Sequence, residues 1–169
     1  MTAVIEAEGK ATITLGSLFD GIGGFPLAAA RNGIQPLWAS EIEEFPIQVT
    51  RHHFPEMAHV GDITKLYGGS LPPVDIITGV SPCQDLSVAG QRGGLDGERS
   101  GLFHHQIRII KEMRDADRAR GRTAQSLRPR FGVWENVPGV YSRETPPGED
   151  FRIVLEDFLL VADDRLVVP

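Results

Sequence analysis

Short β-rich runs alternate with helical periods along this chain, and no other feature constrains its fold as strongly. Residues 12–18 form a β-rich run that ends at Gly21-Ile22-Gly23-Gly24, and residues 25–32 follow as a helix stopped by Gly33. Residues 36–41 read as a second strand, 43–53 as a second helix and 59–61 as a weak third strand. Val74-Asp75-Ile76-Ile77-Thr78, behind Pro72-Pro73, is a compact apolar run of the kind buried in parallel sheets. A Gly-rich loop over 79–100 leads into a helix over 101–119, a strand over 130–136, an amphipathic helix over 150–162 and a final strand over 165–168. Leu102, Phe103, Ile107, Ile110 and Met113 share one face of the first of these helices. Phe151, Val154, Leu155 and Phe158 do the same on the last. Repeated βα units predict an α/β fold: an open, mostly parallel sheet with helices on both faces and ligands at the carboxyl ends of the strands.

The length of 169 residues permits one domain with a proper core, expected over 12–169 behind a tail at 1–11. A single Cys rules out an intrachain disulfide and with it the disulfide-stapled secreted folds. No apolar run approaches the roughly 18 residues of a membrane span. The N-terminus has no basic region followed by an apolar one, so a signal peptide is not expected and a cytoplasmic setting is the default. Net charge is −6, yet residues 101–130 carry eight basic and three acidic side chains. That local excess reads either as a solvated helix and loop or as a surface that meets a phosphate backbone.

Three strand ends carry polar residues that packing does not require: Asp20 with its glycines, Glu41, and Asp62. Glycines let a backbone approach a ligand closely at a helix N-terminus. Glu41 lies twenty residues beyond Gly21, the offset at which an acid reaches a ribose in dinucleotide folds. Asp62 is placed to accept from an exocyclic amino group. The three together describe a nucleoside-shaped site. The turn is G-x-G-G, without the spacing of a dinucleotide fingerprint and without the Lys of a P-loop.

Cys83, in Gly79-Val80-Ser81-Pro82-Cys83-Gln84, follows the apolar run at the sheet edge where ligands bind. A lone Cys is often an inert buried residue; one in a strand-end loop behind a stiffening Pro is a candidate thiolate nucleophile. Glu135 ends the strand over 130–136 and faces the same edge. A nucleophile and an acid would then stand beside a nucleoside cofactor.

Taken in order, these segments resemble the DNA cytosine-5 methyltransferases. Ser17-Leu18-Phe19-Asp20-Gly21-Ile22-Gly23-Gly24-Phe25 is similar to the family's S-adenosylmethionine loop, Ala39-Ser40-Glu41 to its ribose-binding strand end, and Gly61-Asp62-Ile63-Thr64 to its adenine-binding segment. Ser81-Pro82-Cys83-Gln84 resembles the Pro-Cys-Gln element, Gly101-Leu102-Phe103 the start of the next helix, and Trp134-Glu135-Asn136-Val137-Pro138-Gly139 the Glu-Asn-Val element. The wording of residues 85–103 resembles phage and prophage members. The resemblance covers about residues 12–160 and implies a Rossmann-like methyltransferase sheet. It also implies methyl transfer from S-adenosylmethionine to carbon 5 of a cytosine flipped out of double-stranded DNA. Cys83 and Glu135 would be catalytic. Phe19, Asp20, Gly21, Gly23, Gly24, Glu41, Ile42, Asp62, Ile63, Pro82 and Leu102 would hold the cofactor. Ser81, Gln84, Ser87, Asn136 and Val137 would meet the substrate, and residues 85–100 would form a lid.

The family also carries a Gln-x-Arg-x-Arg strand, a target recognition domain and a C-terminal element that completes the cofactor pocket. Their sequences do not follow here, so the expectation is a C-terminally truncated catalytic part: a truncated gene, a fragment, or one half of a split enzyme whose partner is a separate C-terminal half. The alternative is a non-catalytic remnant that folds and at most binds S-adenosylmethionine. A nicotinamide oxidoreductase leaves Cys83 and Glu135 unexplained, and a transfer-RNA methyltransferase of the same superfamily would need the same missing half. His52-His53 and His104-His105 are joined by no Cys or carboxylate constellation, so no metal is expected.

Overall fold

The computed structural model describes residues 12–80, 101–136 and 148–163. The expected tail at 1–11, the loop residues 81–100 and the final strand at 165–168 lie outside the described residues. Five strands form one sheet: β1 (Thr14–Leu18), β2 (Gln35–Ser40), β3 (Ala58–His59), β4 (Ile76–Gly79) and β5 (Phe131–Trp134), in the order β3-β2-β1-β4-β5. Every pairing is parallel. The helices are α1 (Gly24–Arg31), α2 (Glu44–His53), α3 (Gly101–Ala119) and α4 (Glu149–Ala162). Short 3₁₀ turns at Ile63–Lys65, Gly68–Ser70 and Ala124–Ser126 carry no signal in the sequence pattern.

The units β1–α1–β2 and β4–α3–β5 step in opposite directions across the sheet. Right-handed crossovers therefore put α1 and α3 on opposite faces. Under α3, the side chains of Leu18, Trp38, Val74, Ile77, Ile109 and Met113 are completely buried. Removing each from water contributes about 1.5–3 kcal/mol. Trp38 fits because Gly16 has no side chain: a Cβ there would lie 2.2 Å from the indole. The indole Nε1 donates to the Pro72 carbonyl at 2.9 Å, which settles its one polar atom. At the opposite strand ends, Asp75 Oδ2 accepts from both the amide and the hydroxyl of Thr14, each at 3.0 Å. That pair sets the register of β4 against β1.

The face of α3 differs from its sequence reading. Ile109 joins the core while Ile107 is only half-buried, and two polar residues, Gln106 and Asp117, are fully buried. Asp117 is met by Arg120 at 3.2 Å, Arg122 at 3.3 Å and Arg128 at 3.4 Å, and it accepts the Arg128 amide at 3.1 Å.

Much of the basic excess over 101–130 is paired within the fold, although Lys111, Arg118, Arg120, Arg122 and Arg130 remain exposed. Arg108 and Arg114 donate to backbone carbonyls, and Arg118 pairs with Asp115. With the three arginines at Asp117, six of the eight cations are committed to the fold. Arg128 also reaches the Pro73 carbonyl, just before β4 begins. The C-terminal half of α3 thus lies at the amino ends of the strands, away from the edge where ligands bind. That placement favours the solvated helix and loop among the two readings of this stretch.

Candidate functional site

The chain leaves β1 for β2 and β3 on one side and returns to β4 and β5 on the other, so the strand order reverses between β1 and β4. Clefts open at such points, because the loops after the two strands diverge. The carboxyl ends there hold a cavity of about 490 Å³. Phe19, Glu41, Ile42, Asp62, Ile63 and Leu102 line it, together with Ser40, Glu43, Thr64 and Val80. Six residues singled out from three separate strand ends and a helix start are therefore neighbours in space. A larger groove of about 690 Å³ lies at the far end of α3, among Lys111, Asp115, Arg118, Leu127 and Leu160. It is remote from every strand end named from sequence.

The turn after β1 is shaped by unusual backbone. Phe19 has φ 54°, a left-handed conformation that costs a residue with a side chain about 1–3 kcal/mol. Sequence pattern gives no sign of it. Gly21 and Gly23 follow at φ 57° and 88°. A Cβ on Gly23 would also lie 2.9 Å from the Thr50 methyl of α2, so conformation and space both demand glycine there. Gly24 has open space around it and merely begins α1.

One carboxylate closes this turn. Glu41 Oε2 accepts the Gly21 amide at 2.8 Å, while Oε1 accepts the amides of Ile42 at 2.7 Å and Glu43 at 3.0 Å. The Asp20 amide donates to the Ser40 carbonyl at 3.2 Å, and the Ser40 hydroxyl donates to the Gly61 carbonyl at 2.6 Å. The ends of β1, β2 and β3 are stitched together in that way.

Asp62 caps the 3₁₀ turn Ile63–Lys65. Its Oδ1 accepts the Thr64 hydroxyl at 2.7 Å and the Thr64 amide at 2.9 Å, and those bonds hold its carboxyl below the usual range. Arg108 of α3 supports the same turn from beneath, donating to the carbonyls of Leu66 at 2.7 Å and Ile63 at 2.8 Å. Nothing in the sequence points to this task of Arg108, because only the tertiary position of those carbonyls reveals it.

Asp20 is different in kind. Its side chain is 6% exposed, and Oδ1 accepts the Ser17 hydroxyl at 2.6 Å. Oδ2 is buried with no partner. Burial raises its pKa to about 6, with the Glu41 charge adding to the rise.

At the ends of β4 and β5, the Glu135 amide donates to the Gly79 carbonyl at 3.1 Å, and the Glu135 side chain is exposed. Asn136 beside it is half-buried. Gln106 covers Gly79 so closely that a Cβ there would lie 2.3 Å from Gln106 Oε1, and its amide nitrogen reaches the Val133 carbonyl at 3.4 Å. Leu102 is one turn earlier on α3, so the start of this helix touches both the cavity and the β4–β5 ends. Sequence reasoning misses Gln106, since one polar residue on an apolar face carries no signal. Ser81, Pro82, Cys83, Gln84, Ser87 and Val137 lie outside the described residues, as does the expected lid. Among the described residues there is no group of three or more metal-ligating side chains, and no helix is long and apolar enough to cross a membrane.

Comparison with known proteins gives a consistent result. The family described as C-5 cytosine-specific DNA methylase matches residues 13–159. The type II methyltransferase M1.ScrFI of Lactococcus lactis subsp. cremoris is 38% identical over 154 residues, covering 90% of this chain and 35% of that protein. A DNA N-6-adenine-methyltransferase of Escherichia phage P1 is 39% identical over 131 residues, covering 75% of this chain and 17% of that protein. The chain thus spans between 17% and 35% of the length of these curated relatives. Among solved structures, a DNA modification methyltransferase encoded within an E. coli prophage superposes with a TM-score of 0.62 at 29% identity, over 89% of this chain and 38% of that one. The S. pombe Dnmt2 methyltransferase superposes with a TM-score of 0.58 at 19% identity, over 85% and 40%, a likeness of fold alone.

Proposed function

Because the chain belongs to the C-5 cytosine-specific DNA methylase family, we propose that it is the cofactor-binding and nucleophile-bearing part of a DNA (cytosine-5-)-methyltransferase that uses S-adenosylmethionine. The observation that carries this reading is the cavity at the β1/β4 switch point. Its volume of about 490 Å³ suits a nucleoside-sized ligand. Its acidic wall fits as well. A carboxylate has roughly four acceptor positions, and Glu41 uses three on backbone amides. The remaining lone pair is available to a ribose hydroxyl. Ile42, 69% exposed, supplies apolar surface beside it, and Ile63 and Leu102 supply more, as an adenine requires. Asp62 stands at the same cavity with its carboxylate ionised, ready to accept from the exocyclic amine. Gly21, Gly23 and Gly24 keep side chains away from the turn, and Pro82 borders cofactor and substrate.

The cofactor supplies a methyl group bonded to a positively charged sulfur. The protein's task is to make carbon 5 of cytosine reactive, since a ring carbon has no lone pair to offer. The Cys83 thiolate adds to carbon 6, breaking the carbon 5–carbon 6 double bond and moving that electron pair toward carbon 5 and the ring nitrogen. Glu135 contacts the ring nitrogen and amino group and offsets the charge that develops. Once carbon 5 carries the methyl, loss of its proton to a base restores the double bond and expels Cys83 as thiolate. Two residues separate Val80, on the cavity wall, from Cys83, so three chain steps span at most about 11 Å. That short reach supports a thiol working beside the cofactor. Ser81, Gln84, Ser87, Asn136 and Val137 hold the flipped base, residues 85–100 close over it, and DNA reading falls to C-terminal sequence of the kind the longer relatives carry.

The phage P1 relative is named for adenine N-6, and its match is confined to 17% of its length. An exocyclic amine needs no covalent activation, so Cys83 and Glu135 favour carbon methylation. Digesting DNA treated with the protein and the C-terminal part that longer relatives carry, then weighing the nucleosides, separates the two. We expect 5-methylcytosine; N6-methyladenine without it overturns the assignment.

A further inference from the structure

We propose that Arg108 is a positioning residue for the nucleoside cavity, and that it holds the Asp62 turn in place only while His105 beside it is unprotonated. This deepens the cofactor reading above and rests on it.

Arg108 does not line the cavity itself; it joins two of the cavity's walls. Leu102, on the same helix, forms one wall, and Asp62, Ile63 and Thr64 form another. Nη1 of Arg108 donates to the Leu66 carbonyl at 2.7 Å, and Nη2 donates to the Ile63 carbonyl at 2.8 Å. Both ends of the 3₁₀ turn are thus pinned to α3. Two further groups aim the guanidinium. Glu112 accepts from Nη1 with both oxygens, each at 3.0 Å, and its Oε2 also accepts the Gly68 amide at 2.7 Å. His105 Nδ1 lies 3.2 Å from Nε and 3.1 Å from Nη2. A rigid fork of five donors fits this set of acceptors; a single ammonium does not.

The His105 contact fixes that residue's protonation state. A guanidinium has donors and no acceptor, so Nδ1 must be the acceptor. The ring proton is then on Nε2, and the imidazole is neutral. A second proton turns Nδ1 into a donor and sets cation against cation. Arg108 must then yield, and the carbonyls of Ile63 and Leu66 lose their donor. The charged and titratable groups acting on His105 are Arg108, His104 and Glu112 of α3 and Asp62 of the turn. Burial first, and the Arg108 charge second, hold its pKa below the usual histidine value. Asp62 stays ionised across that range, because its bonds from Thr64 hold its carboxyl low. The nucleoside site is therefore intact at neutral pH and weakens as His105 charges in mild acid.

Calorimetry with S-adenosylhomocysteine on the full chain tests this, with circular dichroism at each pH to check the fold. Between about pH 7.5 and about pH 5 the native affinity should fall at least about fivefold. In His105→Asn the amide oxygen can still accept from Arg108 but does not titrate. Its affinity at neutral pH should match the native chain, and its fall in acid should be smaller. Asp20 titrates in the same range, but it is common to both chains and drops out of their difference. Arg108→Lys should weaken binding about tenfold at neutral pH although the charge is kept. Histidine NMR of the native chain should show His105 as the Nε2–H tautomer, with its pKa falling further once S-adenosylhomocysteine is bound. A merely structural role would not move that pKa. Identical pH profiles for the native chain and His105→Asn, full affinity in Arg108→Lys, or a His105 pKa indifferent to the ligand overturns the proposal. If the native chain does not bind S-adenosylhomocysteine at neutral pH, the cofactor reading itself falls, an outcome distinct from failure of this device alone.

Discussion

Oε2 of Glu41 accepts the amide of Gly21 at 2.8 Å, across twenty residues of sequence. One carboxylate thereby fixes the turn after β1 to the end of β2, and the cavity wall depends on it. Glu41→Ala removes three charge-assisted acceptors at once. Chemical denaturation should show a loss of about 1–3 kcal/mol, and S-adenosylhomocysteine affinity should fall at least about tenfold. Unchanged affinity would separate Glu41 from the ligand.

Gly79 and Gln106 occupy one another's space: a Cβ at Gly79 would lie 2.3 Å from Gln106 Oε1. Gly79→Ala should destabilise by about 1–3 kcal/mol through overpacking. Adding Gln106→Ala should restore part of that loss, so a double-mutant cycle should report favourable coupling. Strict additivity would show that the contact does not limit β4.

Asp117 is fully buried among three guanidinium groups. Asp117→Ala leaves those charges facing one another and should cost about 3–5 kcal/mol in thermal or urea unfolding. Nucleoside affinity of the folded fraction should be unaffected, because this cluster lies at the amino ends of the strands. A parallel loss of affinity would contradict that separation.

The sheet and its ligand edge are readable in the sequence because glycines and acids stand where apolar runs stop. Asp20, Glu41 and Asp62 each follow a strand, and the βα alternation brings such positions to one edge. What is not readable depends on tertiary partners. Gln106 and Asp117 interrupt an apolar helix face, and their burial is explained by Gly79 and the Val133 carbonyl for the first and by Arg120, Arg122 and Arg128 for the second. Phe19 adopts a left-handed conformation that residue type argues against. The arginines of α3 and the following loop suggest an outward basic surface, but most of them bond carbonyls or carboxylates of this chain, and four stay exposed. Cys83 stands out by motif and position alone.

Asp20 gives stability a pH dependence of defined sign. Its folded pKa of about 6 lies above the ordinary 3.8. The folded state therefore holds that proton more tightly than the unfolded one, and stability from this group declines as pH rises from about 4 to about 6. Asp20→Asn should remove the decline, leaving the ligand-free variant more stable than the native chain at pH 8 by about 1–3 kcal/mol. Urea midpoints measured at both ends of the range check this. A variant less stable at pH 8 than at pH 4, relative to the native chain, reverses the sign.

Covalent capture by Cys83 tests the central claim most directly. Fluorine at carbon 5 cannot leave as a proton does, so DNA bearing 5-fluorocytosine traps the adduct once the methyl has been transferred. With S-adenosylmethionine and the C-terminal part that longer relatives carry, intact-mass analysis should show protein joined to DNA through Cys83. Cys83→Ala should show none. Absence of the adduct with the native Cys83, on protein that binds both cofactor and DNA, would contradict the account.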